Sequence, residues 1–97
     1  MKIVATERAE NCFESEFVFK YMLDKSWTKR LIKDMAAFGE LRYYDSFPRP
    51  MFQVRCVDGT IIKGVQGTDE CRVIFPRNEP TKAKKKFEEV FVTTLKD

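Results

Sequence analysis

"MFQVRCVDGTIIKGVQGTDECRVIF", residues 51–75, is the stretch on which the fold turns. It holds three short runs rich in Val, Ile and Phe, separated by "DG" and by "GTDE". Aromatic and β-branched side chains favour a pleated backbone, and Asp58-Gly59 is the strongest hairpin signal in the chain. Side chains alternate across a strand, so Phe52, Val54 and Cys56 share one face, as do Cys71, Val73 and Phe75. Those apolar sets predict the buried side. The opposite parity carries Gln53, Arg55, Arg72 and Ile74.

The middle run admits two registers. A two-residue turn at Asp58-Gly59 puts Ile61, Lys63 and Val65 with the core set, whereas a three-residue loop puts Ile62, Gly64 and Gln66 there. Facing inward, Lys63 would have to snorkel out or find a carboxylate such as Asp45. Facing outward, it joins Arg55 and Arg72 in a basic stripe across three strands. The outward register is preferred because it buries no charge and sets Gly64 against the helices, where a helix can approach closely.

Upstream, "ELRYYDSF" adds a fourth run, with Leu41 and Tyr43 on the apolar side and Arg42 and Tyr44 opposite. Pro48 and Pro50 cannot donate to a central ladder and belong to the connection that follows. In "DKSWTKRLIKDMAAFGE", Trp27, Leu31, Met35 and Phe38 recur at helical spacing, with Asp24 or Ser26 as N-cap and Gly39 as the stop. "FESEFVFKYML" alternates Phe13, Ser15, Phe17, Phe19 and Tyr21 against Glu14, Glu16, Val18, Lys20 and Met22, which reads as a strand with a helix as its rival. "MKIVATER" reads as a short strand. Downstream, a final helix begins near Pro80, with Ala83, Phe87, Val90, Phe91 and Leu95 as its inward stripe.

The expected order is strand, helix, four-strand meander, helix, in one α+β domain over residues 1–97. The sheet is antiparallel, of about five strands, with both helices on one face. This order resembles the TBP-like and helix-grip arrangements, in which helices lie on one side of a curved antiparallel sheet. The resemblance implies an architecture and carries no function by itself.

Composition narrows the classes. The chain has 97 residues, 43% apolar and 34% charged, with nine phenylalanines, as a packed globular domain requires. A net charge of +3 permits polyanion contact without the strongly basic balance of a dedicated nucleic-acid binder. The N-terminus lacks the apolar run of a signal peptide, and no window approaches a membrane span. Three cysteines without zinc-type spacing suit a reducing, cytoplasmic compartment.

Catalytic chemistry is poorly represented, and the expectation is a protein that is not an enzyme, with no cofactor. With no histidine, the commonest general base and metal ligand are missing. Glu14 and Glu16 read as solubility on an exposed strand, and Asp69 and Glu70 as turn acids. Cys56 and Cys71, on strands separated by another, are expected about 10 Å apart, beyond disulfide reach. Cys12 has no base nearby in sequence to lower its pKa. Gly59, Gly64 and Gly67 form no phosphate loop.

The lysine run "TKAKKKFEE" lies off the inward stripe of the last helix. Lys84 can reach Glu88 and Lys85 can reach Glu89 at four-residue spacing, so half of the run is compensated. Lys82 and Lys86 remain, and positive charge in the first helical turn opposes the helix dipole. Such a run reads first as a solvated helix face and second as a phosphate contact.

Two functions fit. The first is a nucleic-acid-associated module, in which Arg42, Arg55, Lys63 and Arg72 engage phosphates, Tyr44 offers a stacking surface, and Lys82 and Lys86 extend the field. The second is a protein-interaction module, most simply a homodimer, joined through the same sheet face by Tyr44, Val57 and Ile74 with the arginines paired to acids. Neither involves a membrane.

Overall fold

Within the described residues, each run of alternating side chains contributes a strand. The computed structural model describes residues 1–8, 18–46 and 48–95. Within them lie β1 (Ile3–Arg8), β2 (Val18–Leu23), α1 (Lys29–Asp34) running into a 3-10 turn (Met35–Ala37), β3 (Gly39–Tyr44), β4 (Met51–Cys56), β5 (Ile61–Val65), β6 (Glu70–Ile74) and α2 (Pro80–Thr94). The strands form a six-stranded sheet in the order β1-β2-β6-β5-β4-β3, every neighbouring pair antiparallel. The expected strand, helix, four strands and helix stand inside this order. The sheet gains a sixth strand because "MKIVATER" pairs along the outer edge of β2, where most of its side chains are exposed and its alternation carries little signal. Phe13, Ser15, Phe17, Glu14, Glu16 and Cys12 lie outside the described residues.

The register of β5 is the outward one for Lys63. Gly59 donates to the Cys56 carbonyl at 3.1 Å and Cys56 N–H donates to Thr60 O at 2.8 Å, which closes a three-residue loop of Val57, Asp58 and Gly59. Gly59 has φ 97°, a left-handed conformation that costs a glycine little and other residues much. The extra loop residue puts Ile62, fully buried, opposite Val54 and Val73 and turns Lys63 to solvent. Gly64 does face the core, although a helix does not take its space. The Phe52 ring, directly across on β4, lies where a Gly64 side chain would be.

Trp27 anchors the helix layer in a way periodicity alone does not reveal. It is buried but precedes α1, held to the β5–β6 loop by Trp27 N–H to Thr68 O at 2.8 Å and Gly67 N–H to Trp27 O at 2.9 Å. Its indole N–H donates to Glu70 O at 3.0 Å, and its ring meets Phe52 edge-on at 4.7 Å between centroids. Thr28 is therefore the N-cap, its hydroxyl accepting from Leu31 N–H at 3.2 Å. The cap is neither Asp24 nor Ser26: Asp24 accepts from Lys2 N–H at 2.7 Å and so ties the first two strands together. Gly39 opens β3 instead of only stopping a helix, since a side chain there would collide with the Arg55 carbonyl.

Both helices pack on one sheet face. Leu31, Ile32 and Met35 join Ala83, Phe87, Phe91 and Leu95 and the inward residues Tyr21, Phe52, Val54, Ile62, Cys71 and Val73 in one apolar cluster. Phe38 lies 6.1 Å from Phe87 and 6.3 Å from Phe91, which seals the two helical segments together. Val90, placed in the inward stripe by its spacing, is 37% exposed at the margin of this contact. Burial on this scale is the main source of stability in so small a chain.

One polar node ties sheet to helix. Tyr21 O–H donates to Glu88 at 3.0 Å, and Lys84 Nζ approaches the same carboxylate at 2.8 Å while lying 5.2 Å from the Phe19 ring. Burial, then the Glu88 hydrogen bond, pushes the Tyr21 phenol well above its ordinary pKa. The Lys84–Glu88 pairing expected from spacing is made. Lys85 and Glu89 form no ion pair among the described residues.

Candidate nucleic-acid interface

The sheet face away from the helices collects the outward parity of every strand. Registers across the sheet align Glu7, Lys20, Arg72, Lys63, Gln53 and Arg42 in one row over all six strands. Adjacent strands lie about 4.8 Å apart, so Lys20, Arg72 and Lys63 occupy about 10 Å of backbone and Arg42 stands about 19 Å from Lys20. On one side of this row run Ile74, Ile61, Arg55 and Glu40. On the other, Met22 faces Glu70, and Val65 faces Met51, which faces Tyr44.

The row is electrostatically unbalanced. Lys20 pairs with Glu70 at 3.0 Å and Arg42 with Glu40 at 3.3 Å, both with solvent-exposed side chains. Arg55, Lys63 and Arg72 make no ion pair among the described residues. Like charges directly opposite each other on neighbouring strands destabilise a sheet by about 0.2–1 kcal/mol per pair. Lys20 opposite Arg72 and Arg72 opposite Lys63 are two such pairs. The guanidinium of Arg42 holds its proton above the ordinary range, through the Tyr44 hydroxyl and then Glu40.

Between these cations lies a shallow hollow of about 300 Å³, bordered by Lys20, Lys63, Arg72 and Glu70, with Met51 and Val65 as its apolar border. Tyr44, 40% exposed, and Met51, 41% exposed, stand at the β3–β4 end of the face. Among the described residues the arrangement thus offers three cations without an ion pair, a concavity beside them and the accessible Tyr44 ring.

The structure brings Arg42, Tyr44, Arg55, Lys63 and Arg72 onto one surface. Lys82 and Lys86 do not extend it, because α2 buries Ala83 and Phe87 against the opposite sheet face and carries both lysines into the helix layer. Val57 does not belong to the face either: it is fully exposed at the tip of the β4–β5 loop. Lys20 is the residue that sequence reasoning missed. Its parity with Val18 and Met22 was legible, but its place beside Arg72 requires β2 to pair with β6, across a gap that alternation within one run does not span.

Nucleophilic chemistry finds little support among the described cysteines. Burial pushes the Cys56 thiol up to about 11 and the Cys71 thiol up to about 12, so both stay protonated near neutral pH. They are free, on strands separated by β5. Among the described residues, no group of three or more His, Cys, Asp or Glu side chains is placed to hold a metal. No helix among them is long and apolar enough to cross a membrane. Comparisons with protein-family models, with curated proteins and with solved structures find no match to this chain.

Proposed function

We propose that the chain is a nucleic-acid-binding module whose open sheet face takes a single strand. The observation that carries this reading is the run Lys20, Arg72, Lys63 on neighbouring strands, in which Arg72 and Lys63 oppose each other with no ion pair among the described residues. Such a row costs stability in the free protein, and phosphate oxygens along it would offset that repulsion. Arg55 and Arg42 widen the track, and Tyr44 gives a base a stacking surface without demanding a sequence. A duplex presents its bases already stacked, so the accessible ring favours the single strand.

A homodimer through the same face is the competing reading, and the charges argue against it. Face-to-face packing would bring two copies of the cationic row together, with Glu7, Glu40 and Glu70 as the acids among the described residues of the face to separate them. Repulsion between such rows is costly once solvent is excluded.

Fluorescence anisotropy with a labelled random single strand, repeated over stepped salt, tests the proposal. The three cations without an ion pair among the described residues, Arg55, Lys63 and Arg72, predict a slope of log K against log salt of roughly −2, at about −0.7 for each phosphate neutralised. Lys63→Glu with Arg72→Glu should abolish binding while the fold persists, because both side chains are exposed. Tyr44→Ala should weaken binding by about 1–3 kcal/mol. Absence of binding at low salt, or affinity unchanged by the double reversal, would remove the face from the account. A dimer in sedimentation that survives high salt would favour the competing reading.

A further inference from the structure

The two rims of the sheet are built differently. β1 is exposed along most of its length and its register slips between Ile3 and Ala5, an irregularity of the kind that keeps an edge from pairing further. β3 forms the other rim, six residues matched to β4 with no slip. It has no proline, lysine or inward charge to turn a further strand away. Leu41 and Tyr43, on its helix-side face, pack on the core yet are only half-buried.

Hydrogen bonds of β4 fix which groups of β3 point outward. Cys56 N–H donates to Thr60 O at 2.8 Å and Gln66 N–H to Pro50 O at 2.8 Å, so the even-numbered residues of β4 address β5. Successive residues in an antiparallel ladder turn to opposite sides, which leaves Arg55 and Gln53 to bond Glu40 and Arg42. Gly39, Leu41 and Tyr43 therefore aim their backbone N–H and C=O groups off the rim, where no further strand pairs with them among the described residues.

A second copy of β3 fits this rim in one register. Antiparallel pairing centred on Leu41 lets Leu41 exchange both bonds with the partner's Leu41, and Gly39 with the partner's Tyr43. On the outward face it sets Glu40 against the partner's Arg42, and Arg42 against the partner's Glu40, at positions where side chains lie closest. A centre at Glu40 or Arg42 would oppose like charges. A centre at Gly39 or Tyr43 sets Glu40 against the partner's Phe38, or Arg42 against the partner's Tyr44, and runs off the strand. Within one chain Arg42 and Glu40 pair at 3.3 Å with exposed side chains, so exchanging partners between copies gives up little. We propose that the protein forms a two-fold dimer through β3 that joins two sheets into one. Its axis runs normal to the sheet and leaves both cationic faces open, so this dimer and strand binding stand or fall separately.

Sedimentation of the full chain up to about 0.5 mM, without nucleic acid, provides the first test, since an edge contact is small and micromolar association is expected of it. A dimer should form, and the Leu41 and Tyr43 amides should gain protection from hydrogen exchange as concentration rises. Glu40→Arg and Arg42→Glu, both at exposed positions, should each weaken dimerisation about tenfold, because each sets like charges opposite one another across the axis. Mixed together, these two variants should form a heterodimer, read by native mass spectrometry, in which every such pair is again opposite in charge. The proposal is overturned if the chain stays monomeric at about 0.5 mM, or if mixing restores no dimer. It is also overturned if Arg42→Glu leaves the dimer intact, the result expected of face-to-face packing, which sheds a like charge by that change.

Discussion

Gly64→Ala tests the register on which the cationic row depends. An alanine Cβ at this position overlaps the edge of the Phe52 ring, which is 2% exposed and braced by Trp27 at 4.7 Å between centroids. The ring has little room to retreat, and overpacking of this kind costs about 1–3 kcal/mol. Against that stands a gain of about 0.5–1 kcal/mol from replacing glycine within a strand. The braced ring puts the cost in the upper part of that range, about 2–3 kcal/mol, so a net loss of about 1–2.5 kcal/mol follows, which for a chain of this size lowers the urea midpoint by roughly 0.5–1 M. Phe52→Leu removes the obstruction, so in a double-mutant cycle the two changes should couple by about 1 kcal/mol in the favourable direction. If Gly64→Ala is neutral or stabilising on its own, Gly64 faces solvent, Lys63 faces the core and the cationic row is broken.

Three further outcomes follow from the fold. Tyr21→Phe, which deletes the buried donor to Glu88, should lower stability by about 0.5–1.5 kcal/mol in thermal denaturation, and an unchanged midpoint would show that Lys84 alone satisfies the carboxylate. Asp24 is held below the ordinary carboxylate pKa chiefly by the Lys2 backbone N–H, so its contribution is present above about pH 4 and lost as pH falls through the depressed value. Asp24→Asn should therefore flatten the acid limb of the stability profile, and an equally steep limb would exclude this residue. Cys71 should resist alkylation at pH 8 until the chain unfolds, as read by peptide mass mapping, because burial keeps its thiol protonated; rapid modification of the native protein would contradict the packing of β6.

Alternation made much of this legible. Phe52 with Val54, and Cys71 with Val73, announce their buried side within single runs, and Asp58-Gly59 announces the hairpin. Lys63 could be placed because a charge is costly to bury and Gly64 is not. What escaped was long-range. Trp27 sits at a helical spacing from Leu31 yet is held by strand-like hydrogen bonds to residues about forty positions later. The Thr28 cap follows from that clasp, and nothing local prefers it over Ser26. β1 escaped full weight because an edge strand with both faces wet loses its alternation. At the candidate interface, Arg55 and Arg72 were readable from parity, while the partnership of Lys20 with Arg72 appears only when β2 closes on β6.

That closure couples ligand affinity to folding. Lys20, Lys63 and Arg72 are scattered along the unfolded chain and become neighbours only in the completed sheet, so their electrostatic field belongs to the native state alone. Any polyanion that prefers this field must raise the melting temperature as its concentration rises, with the logarithm of concentration once the face is filled, and urea must release it. A heat-shift titration would therefore register occupancy of the face even for a ligand too weak to be retained on a column.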